Sequence, residues 1–315
     1  MNAPLLHELE LNRYAAAFRA ACELDVLAFK PGNVSVESAG HDMRAEDFLI
    51  SAEVAAPHIA NPELNIGERI YRAIEATRRA VACNTNLGIV LLTAPLIDAA
   101  QQRQPDESAA AALHRSLARF DLEQTAWVYR AIRLAAPGGL GKSARHDVHE
   151  TPKAPLLTAM HDASRRDCIA RQYANDYADL FSLDRSALTQ ARARWGVEAH
   201  AMSELFIAFL ADFPDSHVQR KHGAATAEGV RQMARQCQYE VRHSPSWESA
   251  RKPLEELDRR LKASGINPGT SADLCVATWL LDRLLGESSM QTETISNPTE
   301  TDIQAACRPE AALRF

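Results

Sequence analysis

From Leu5 to Phe29 the apolar residues return at three- and four-residue steps: Leu5, Leu9, Tyr14, Phe18, Ala21 and Cys22. That is the period of a helix with one buried face. The spacing resumes at about 45–60, 66–83, 87–104, 107–118 and 122–136. It continues at about 155–181, 184–211, 223–242, 247–263 and 271–286. No stretch alternates apolar and polar side chains over a useful length, so strands are not expected. Alanine, leucine, glutamate and arginine are plentiful and favour helix, and aromatics are only 6%. The expected fold is all-α, a single compact multi-helix domain built by packing helices face to face.

With 315 residues, 46% of them apolar and 24% charged, the chain can bury a real core. From Glu287 the sequence turns to SSMQTETISNPTETDIQ, with few apolar residues and no period. The expected organisation is a helical domain over 1–286 and a flexible tail over 287–315. The net charge of −6 gives no basic field for nucleic acid, so anionic ligands need local clusters. Cysteines 22, 83, 168, 237, 275 and 307 form no C-x-x-C pair and suit a reducing compartment. The N-terminus is acidic and unlike a signal peptide, and the run Leu87 to Ile97 is too short to span a bilayer. A cytoplasmic protein without a membrane partner is expected.

Five segments interrupt the helical pattern with dense polar groups: KPGNVS…GHDM at 30–43, NTNLG at 84–88, GGLGKSARHDVHE at 138–150, DSHVQRKHG at 215–223 and NPGTSADL at 267–274. Loops on a rigid scaffold often carry chemistry. In the first, Lys30, Asn33, His41 and Asp42 stand within about a dozen residues. Asp42 suits a magnesium ion that carries phosphates, and Lys30 suits a phosphate as a point charge. An ordinary surface pair is the plainer reading. Asn84 and Asn86 precede an apolar helix. Asn86 can simply cap it, or the helix start can also seat a phosphate. Thr270-Ser271-Ala272-Asp273 reads as a capping box, with Thr270 or Ser271 as cap and Asp273 satisfying first-turn amides.

The segment 138–150 combines a glycine-rich bend with Lys142, Arg145, His146, Asp147, His149 and Glu150, but it lacks the Walker spacing. Asp215, His217, Arg220, Lys221 and His222 form a second mixed cluster between helices. Solvated loop charge is the plain reading of both. His-Asp pairs stand at 41–42, 146–147 and 161–162; the last reads as the surface of an ordinary helix.

Taken in order, these five segments resemble the triphosphoribosyl-dephospho-CoA synthase family over most of residues 20–286, and NPGTSADL is the nearest match. The resemblance implies an ATP-using pentosyl transferase. Its members join the ribose of ATP to the 2′-hydroxyl of 3′-dephospho-CoA, release adenine and keep the triphosphate. It implies ATP with Mg2+ and a phosphorylated coenzyme precursor as partners, and a homodimer is one expected assembly. The better-known members carry KPGLV, NTHKG and GARGEAESG where this chain has KPGNV, NTNLG and GLGKSARHD. The chain therefore resembles a divergent branch, for which an acceptor from methanopterin or methanofuran synthesis is a further expectation by analogy. Asp42 and Asp273 are the expected metal or charge-stabilising carboxylates, and Asp147 or Asp215 the expected base. Lys30, Lys142, Arg145 and Arg220 are expected to hold triphosphate. Asn84 and Asn86 would bring a helix start to a phosphate, and Asn33, His41 and Ser271 complete the expected binding set. Two other classes compete: a metal-dependent phosphohydrolase, from the His-Asp pairs, and a non-catalytic helical partner protein.

Overall fold

A computed structural model describes residues 3–38, 40 and 43–286. The expected flexible tail from 287, together with His41 and Asp42, lies outside the described residues. Among those residues the fold is all-α, as the periodicity requires; two isolated bridges, Ser35 with Ser38 and Gly40 with Met43, tighten the first loop. The first half runs α1 (Ala3–Leu27), α2 (Ala45–Ile59), α3 (Ile66–Val81), α4 (Leu87–Gln102), α5 (Ala109–Leu117) and α6 (Leu122–Ala135). Asn65, Ser108 and Asp121 cap α3, α5 and α6 by accepting from the amides of Glu68, Ala111 and Gln124.

In the second half two expected helices are broken. The span 155–181 divides into α7 (Leu156–Ala163), α8 (Cys168–Ala174) and the start of α9 (Ala178–Leu183). Asp167 opens α8 by accepting from the amides of Ile169 and Ala170, and Asp176 and Tyr177 close it with left-handed φ of 53° and 60°. No glycine or proline marks either break. The span 184–211 divides into a π-helical turn (Asp184–Leu188), α10 (Thr189–Trp195) and α11 (Glu198–Asp212). The 215–223 segment, expected as a loop, is largely a short helix, α12 (Ser216–His222), because Asp215 caps it through the amide of Val218 at 3.0 Å. The chain ends its described part with α13 (Ala224–Arg242), α14 (Trp247–Ala263) and α15 (Gly269–Leu285).

Helix α4 is buried on every face from Leu87 to Ala99, and α11 is buried from Ala201 to Ala211. Helices without a polar face belong at the centre. α4 lies along α15, with α3 and α5 also on it, and α11 packs on α13, α10 and α15. Their apolar side chains join one continuous cluster. No described helix is long and apolar enough to cross a membrane.

Pro95 lies inside α4 and has no N–H to give the carbonyl of Leu91. The buried Tyr173 hydroxyl donates to that carbonyl at 2.6 Å, and the Tyr177 hydroxyl donates to the next one, Leu92, at 3.0 Å. The first of these bonds thus repairs the backbone of the central helix. Removing the first leaves a buried carbonyl unpaired, which costs about 1–3 kcal/mol. Tyr173→Phe is therefore expected to lower the free energy of unfolding by that amount, seen as a lower urea midpoint with an unchanged slope.

Candidate functional site

Four helices begin at one place. The carboxylate of Asp273, the fifth residue of α15, lies against Gly88 at the start of α4. A Cβ on Gly88 would stand 2.0 Å from Asp273 Oδ2 and 3.0 Å from Ile169 Cδ1, at the start of α8. The Cys168 amide of α8 donates to Ser216 Oγ of α12 at 3.2 Å, and Ser216 Oγ donates to Thr270 Oγ1 of α15 at 3.1 Å. These contacts close a ring: α4, α8, α12, α15. Such starts leave amides unpaired within the helix and concentrate partial positive charge.

The caps are not those expected from local sequence. Neither Thr270 nor Ser271 caps α15. Asp215 reaches across instead: its Oδ2 accepts from the Ser271 amide at 2.7 Å and the Ser271 hydroxyl at 2.8 Å, while Oδ1 holds Val218. One carboxylate thus starts two helices. Asp273 is released from capping, which corrects the self-capping reading of TSAD. Nor does Asn86 cap α4 with its side chain. Asn84 Oδ1 accepts from the Leu87 amide at 3.2 Å. Asn86 donates to Thr77 Oγ1 at 3.0 Å, and its own Oδ1 is buried without a hydrogen bond among the described residues.

Asp273 is half-buried and accepts no hydrogen bond from a described residue. Burial pushes its proton affinity well above the carboxylate range; Asp25 and Asp215 push it further, and Lys30 and Arg220 offset part. Lys30, expected to touch phosphate, has a side chain 0% exposed and ion-paired with Asp25. It acts on its surroundings as a fixed buried charge. Asn33 donates to Asn267 Oδ1 at 2.9 Å, which ties the 30–33 turn to the approach to α15. Arg220 is ion-paired with Asp167 at 2.6 Å, and its Nε is buried without a partner among the described residues. Burial, with Asp215 and Asp167 nearby, pushes the Cys168 thiol up to about 12, so it is no nucleophile at neutral pH.

The 138–150 segment meets the ring only at its edge, where Gly139 packs on the backbone of Arg220 and Gly138 on the Lys221 stem. Lys142 is exposed, and Arg145 pairs with Asp162 at 2.8 Å. Asp147 accepts from the Ser143 amide, the His149 amide and His149 Nδ1 at 2.9, 2.8 and 2.7 Å. These bonds, the His149 amide first, hold its carboxyl down at about 2. A group so saturated is a weak base. His146 Nε2 meets Asp162 at 3.2 Å, so α7 anchors this segment and His161-Asp162 is more than surface. Two hollows of about 310 and 340 Å³ open beside it, one lined by Tyr129, Arg145 and Asp147, the other by Arg133 and His149. Both lie away from Asp273. Among the described residues no three histidine, cysteine, aspartate or glutamate side chains gather to hold a metal ion.

The structure adds Asp25, Asp167 and Asp258 to the residues that shape this region. Asp25 and Asp258 had a faint signal in the sequence. Asp258, for example, sits on the stripe formed by Leu254, Leu257 and Leu261, where a solvated acid does not belong.

Comparison with known proteins returns one family. Neither the curated proteins nor the solved structures contain a match. The model of the CitG family, described as ATP:dephospho-CoA triphosphoribosyl transferase, matches residues 11–292. That span takes in all four helix starts, the Lys30 turn and the 138–150 segment, and the chain accordingly belongs to the CitG family of triphosphoribosyl transferases, enzymes that use ATP and dephospho-CoA.

Proposed function

We propose that the ring of helix starts is where the triphosphoribosyl group of ATP is passed to the 2′-hydroxyl of 3′-dephospho-CoA. The bond from C1′ to adenine breaks, the bond from C1′ to the acceptor oxygen forms, and the proton of that hydroxyl balances the released adenine. The triphosphate stays on the ribose. Positive charge develops on the ribose ring as adenine leaves, and a carboxylate beside it lowers that barrier. The observation that carries this reading is Asp273: a half-buried carboxylate with no hydrogen bond from a described residue, set among helix starts.

Asp273 is the charge-stabilising group in this reading. Asp215, with three donors on its carboxylate, positions the start of α15 and does not act as base. Arg220, the amides of Gly88, Ile89 and Thr270 and the Asn84 side chain face the triphosphate, with Lys142 and Arg145 on the outer edge, while Asn86 and Ser271, whose donors go to Thr77 and Asp215, hold the two helix starts in place. Lys30 and Asn33 support them from behind. Mg2+ would enter with ATP as the substrate complex, and Asp273 would be the described carboxylate that meets it. The enzyme works in the cytoplasm, which its five described free cysteines suit.

A second acceptor is favoured by one observation. Where better-known members carry His-Lys, Asn86 is tied to Thr77 and Leu87 is buried, so neither position supplies a cation. An acceptor with a different phosphate arrangement, such as a methanopterin or methanofuran precursor, fits that change.

Purified protein with ATP, Mg2+ and 3′-dephospho-CoA is expected to release adenine stoichiometrically with the ribosylated product, read by chromatography. Adenine only with the one-carbon precursors selects the second acceptor, and phosphate without adenine rejects transfer. Asp273→Asn is expected to lower kcat by about 10²–10⁴-fold.

The same substitution tests the cost of the charge. The folded chain holds the Asp273 proton above the ordinary value of 3.8, so stability falls as pH rises from there through the folded value. Asp273→Asn is thus expected to raise Tm by about 2–4 °C near neutral pH. The gain should vanish as pH falls towards 3.8, where the wild-type carboxyl is already protonated in the folded chain.

A further inference from the structure

The turn that carries Lys30 and Asn33 is gripped from outside by α14. Asp258 Oδ1 accepts from the Gly32 amide at 2.7 Å, and Oδ2 accepts from the Ser38 hydroxyl at 3.1 Å. One helical turn later, Lys262 donates to the Ser38 carbonyl at 3.2 Å and to its hydroxyl, and pairs with Asp258 at 3.3 Å. A single carboxylate therefore holds both ends of the 32–38 segment. Its exposure is 9%, and it shares a face with the buried Leu254, Leu257 and Leu261. The neighbouring acids of α14 behave otherwise: Glu255 and Glu256 pair with Arg251, Arg259 and Arg260 on the same helix, at the surface.

The grip has a direction. Gly32, at φ of 78°, is pressed against the other wall: a Cβ there would stand 2.9 Å from the Ile266 carbonyl and 2.9 Å from Pro268 Cδ. Only glycine meets both conditions. Asn33 is fastened to Asn267 on the same wall. Residues 266–268 launch α15, which carries Asp273 just past its first turn. Asp258 thus clamps one sequence-distant turn onto the start of the helix that bears the central carboxylate.

We propose that Asp258 is a positioning residue for triphosphoribosyl transfer, holding the 30–38 turn against the start of α15 so that Lys30 and Asp273 keep their mutual placement. This rests on the transfer reading above. Bonds from a backbone amide and a hydroxyl to an ionised carboxylate are short and strong, and a misplacement near 1 Å can cost about 10²-fold in rate. The expected consequence of weakening the clamp is a loss in kcat, with ATP affinity and global stability largely kept.

The test uses the full chain, adenine release as the rate, and Tm. Asp258→Asn keeps the shape and removes the charge. Ser38→Ala removes one arm of the clamp from a partly exposed turn. Asp258→Asn is expected to lower kcat about 10- to 100-fold, with the KM for ATP changed less than about 3-fold and Tm lowered by less than about 4 °C. Ser38→Ala should lower kcat by a smaller factor at wild-type Tm. The double variant should be no worse than Asp258→Asn, because both act through one clamp. Wild-type kcat in Asp258→Asn overturns the proposal. So does a loss of kcat that follows a loss of folded protein while Ser38→Ala keeps full activity, and so do effects that multiply in the double variant. A wild type that releases no adenine with any acceptor defeats the transfer reading itself, and the clamp falls with it. An active wild type beside an equally active Asp258→Asn defeats the clamp alone.

Discussion

The bond from Ser271 to Asp215 is the joint on which the rest of the site depends. A helix beginning inside a protein needs something to take its first amides. Here a carboxylate more than fifty residues away does so for α15 while it caps its own helix, α12. With that duty discharged by Asp215, Asp273, just past the first turn of α15, takes no part in capping. Because Gly88 has no side chain, the Asp273 carboxylate can rest on the start of α4. Take away either condition and the two central helices could not present their starts to a common ligand.

The cost of this arrangement is electrostatic. Asp25, Asp215 and Asp273 all hold their protons more tightly than ordinary carboxylates, chiefly because burial disfavours charge. Lys30 and Arg220 offset only part of it for Asp273. A fold selected for stability alone would not gather three acids there. Active sites do so where charge develops during reaction. The opposite end of α4 shows the contrast: Asp98 accepts from Ser116 and Arg119 and pairs with the buried Arg69, which is itself bonded to Gln101 and the Leu64 carbonyl. Those charges are matched, and they brace the helix.

Much of this was legible in the sequence where one period or one residue type decides. The helical spacing placed α1 to α6 and α13 to α15 within a few residues, and the all-round apolar run at 87–97 marked the central helix. The polar interruptions at 84–88, 215–223 and 267–274 do meet in space. The breaks at 164–167 and 175–177 were invisible, since left-handed Asp176 and Tyr177 are permitted by packing and carry no local signal. Cap assignments failed for a related reason. Local pattern offered Asn86 and Thr270 or Ser271 as caps, and tertiary partners supplied better ones. The partners of Lys30 and Gly32, Asp25 and Asp258, appear in a sequence only as acids on apolar stripes.

The central claim is that ATP is held where α4, α8, α12 and α15 begin. A crystal structure of the protein with a non-hydrolysable ATP analogue and Mg2+ tests it most directly. The account predicts triphosphate density against Arg220 and the amides of Gly88, Ile89 and Thr270, with the ribose next to the Asp273 carboxylate. Nucleotide seated instead in the hollows of the 133–153 segment, with Asp273 untouched, would contradict it.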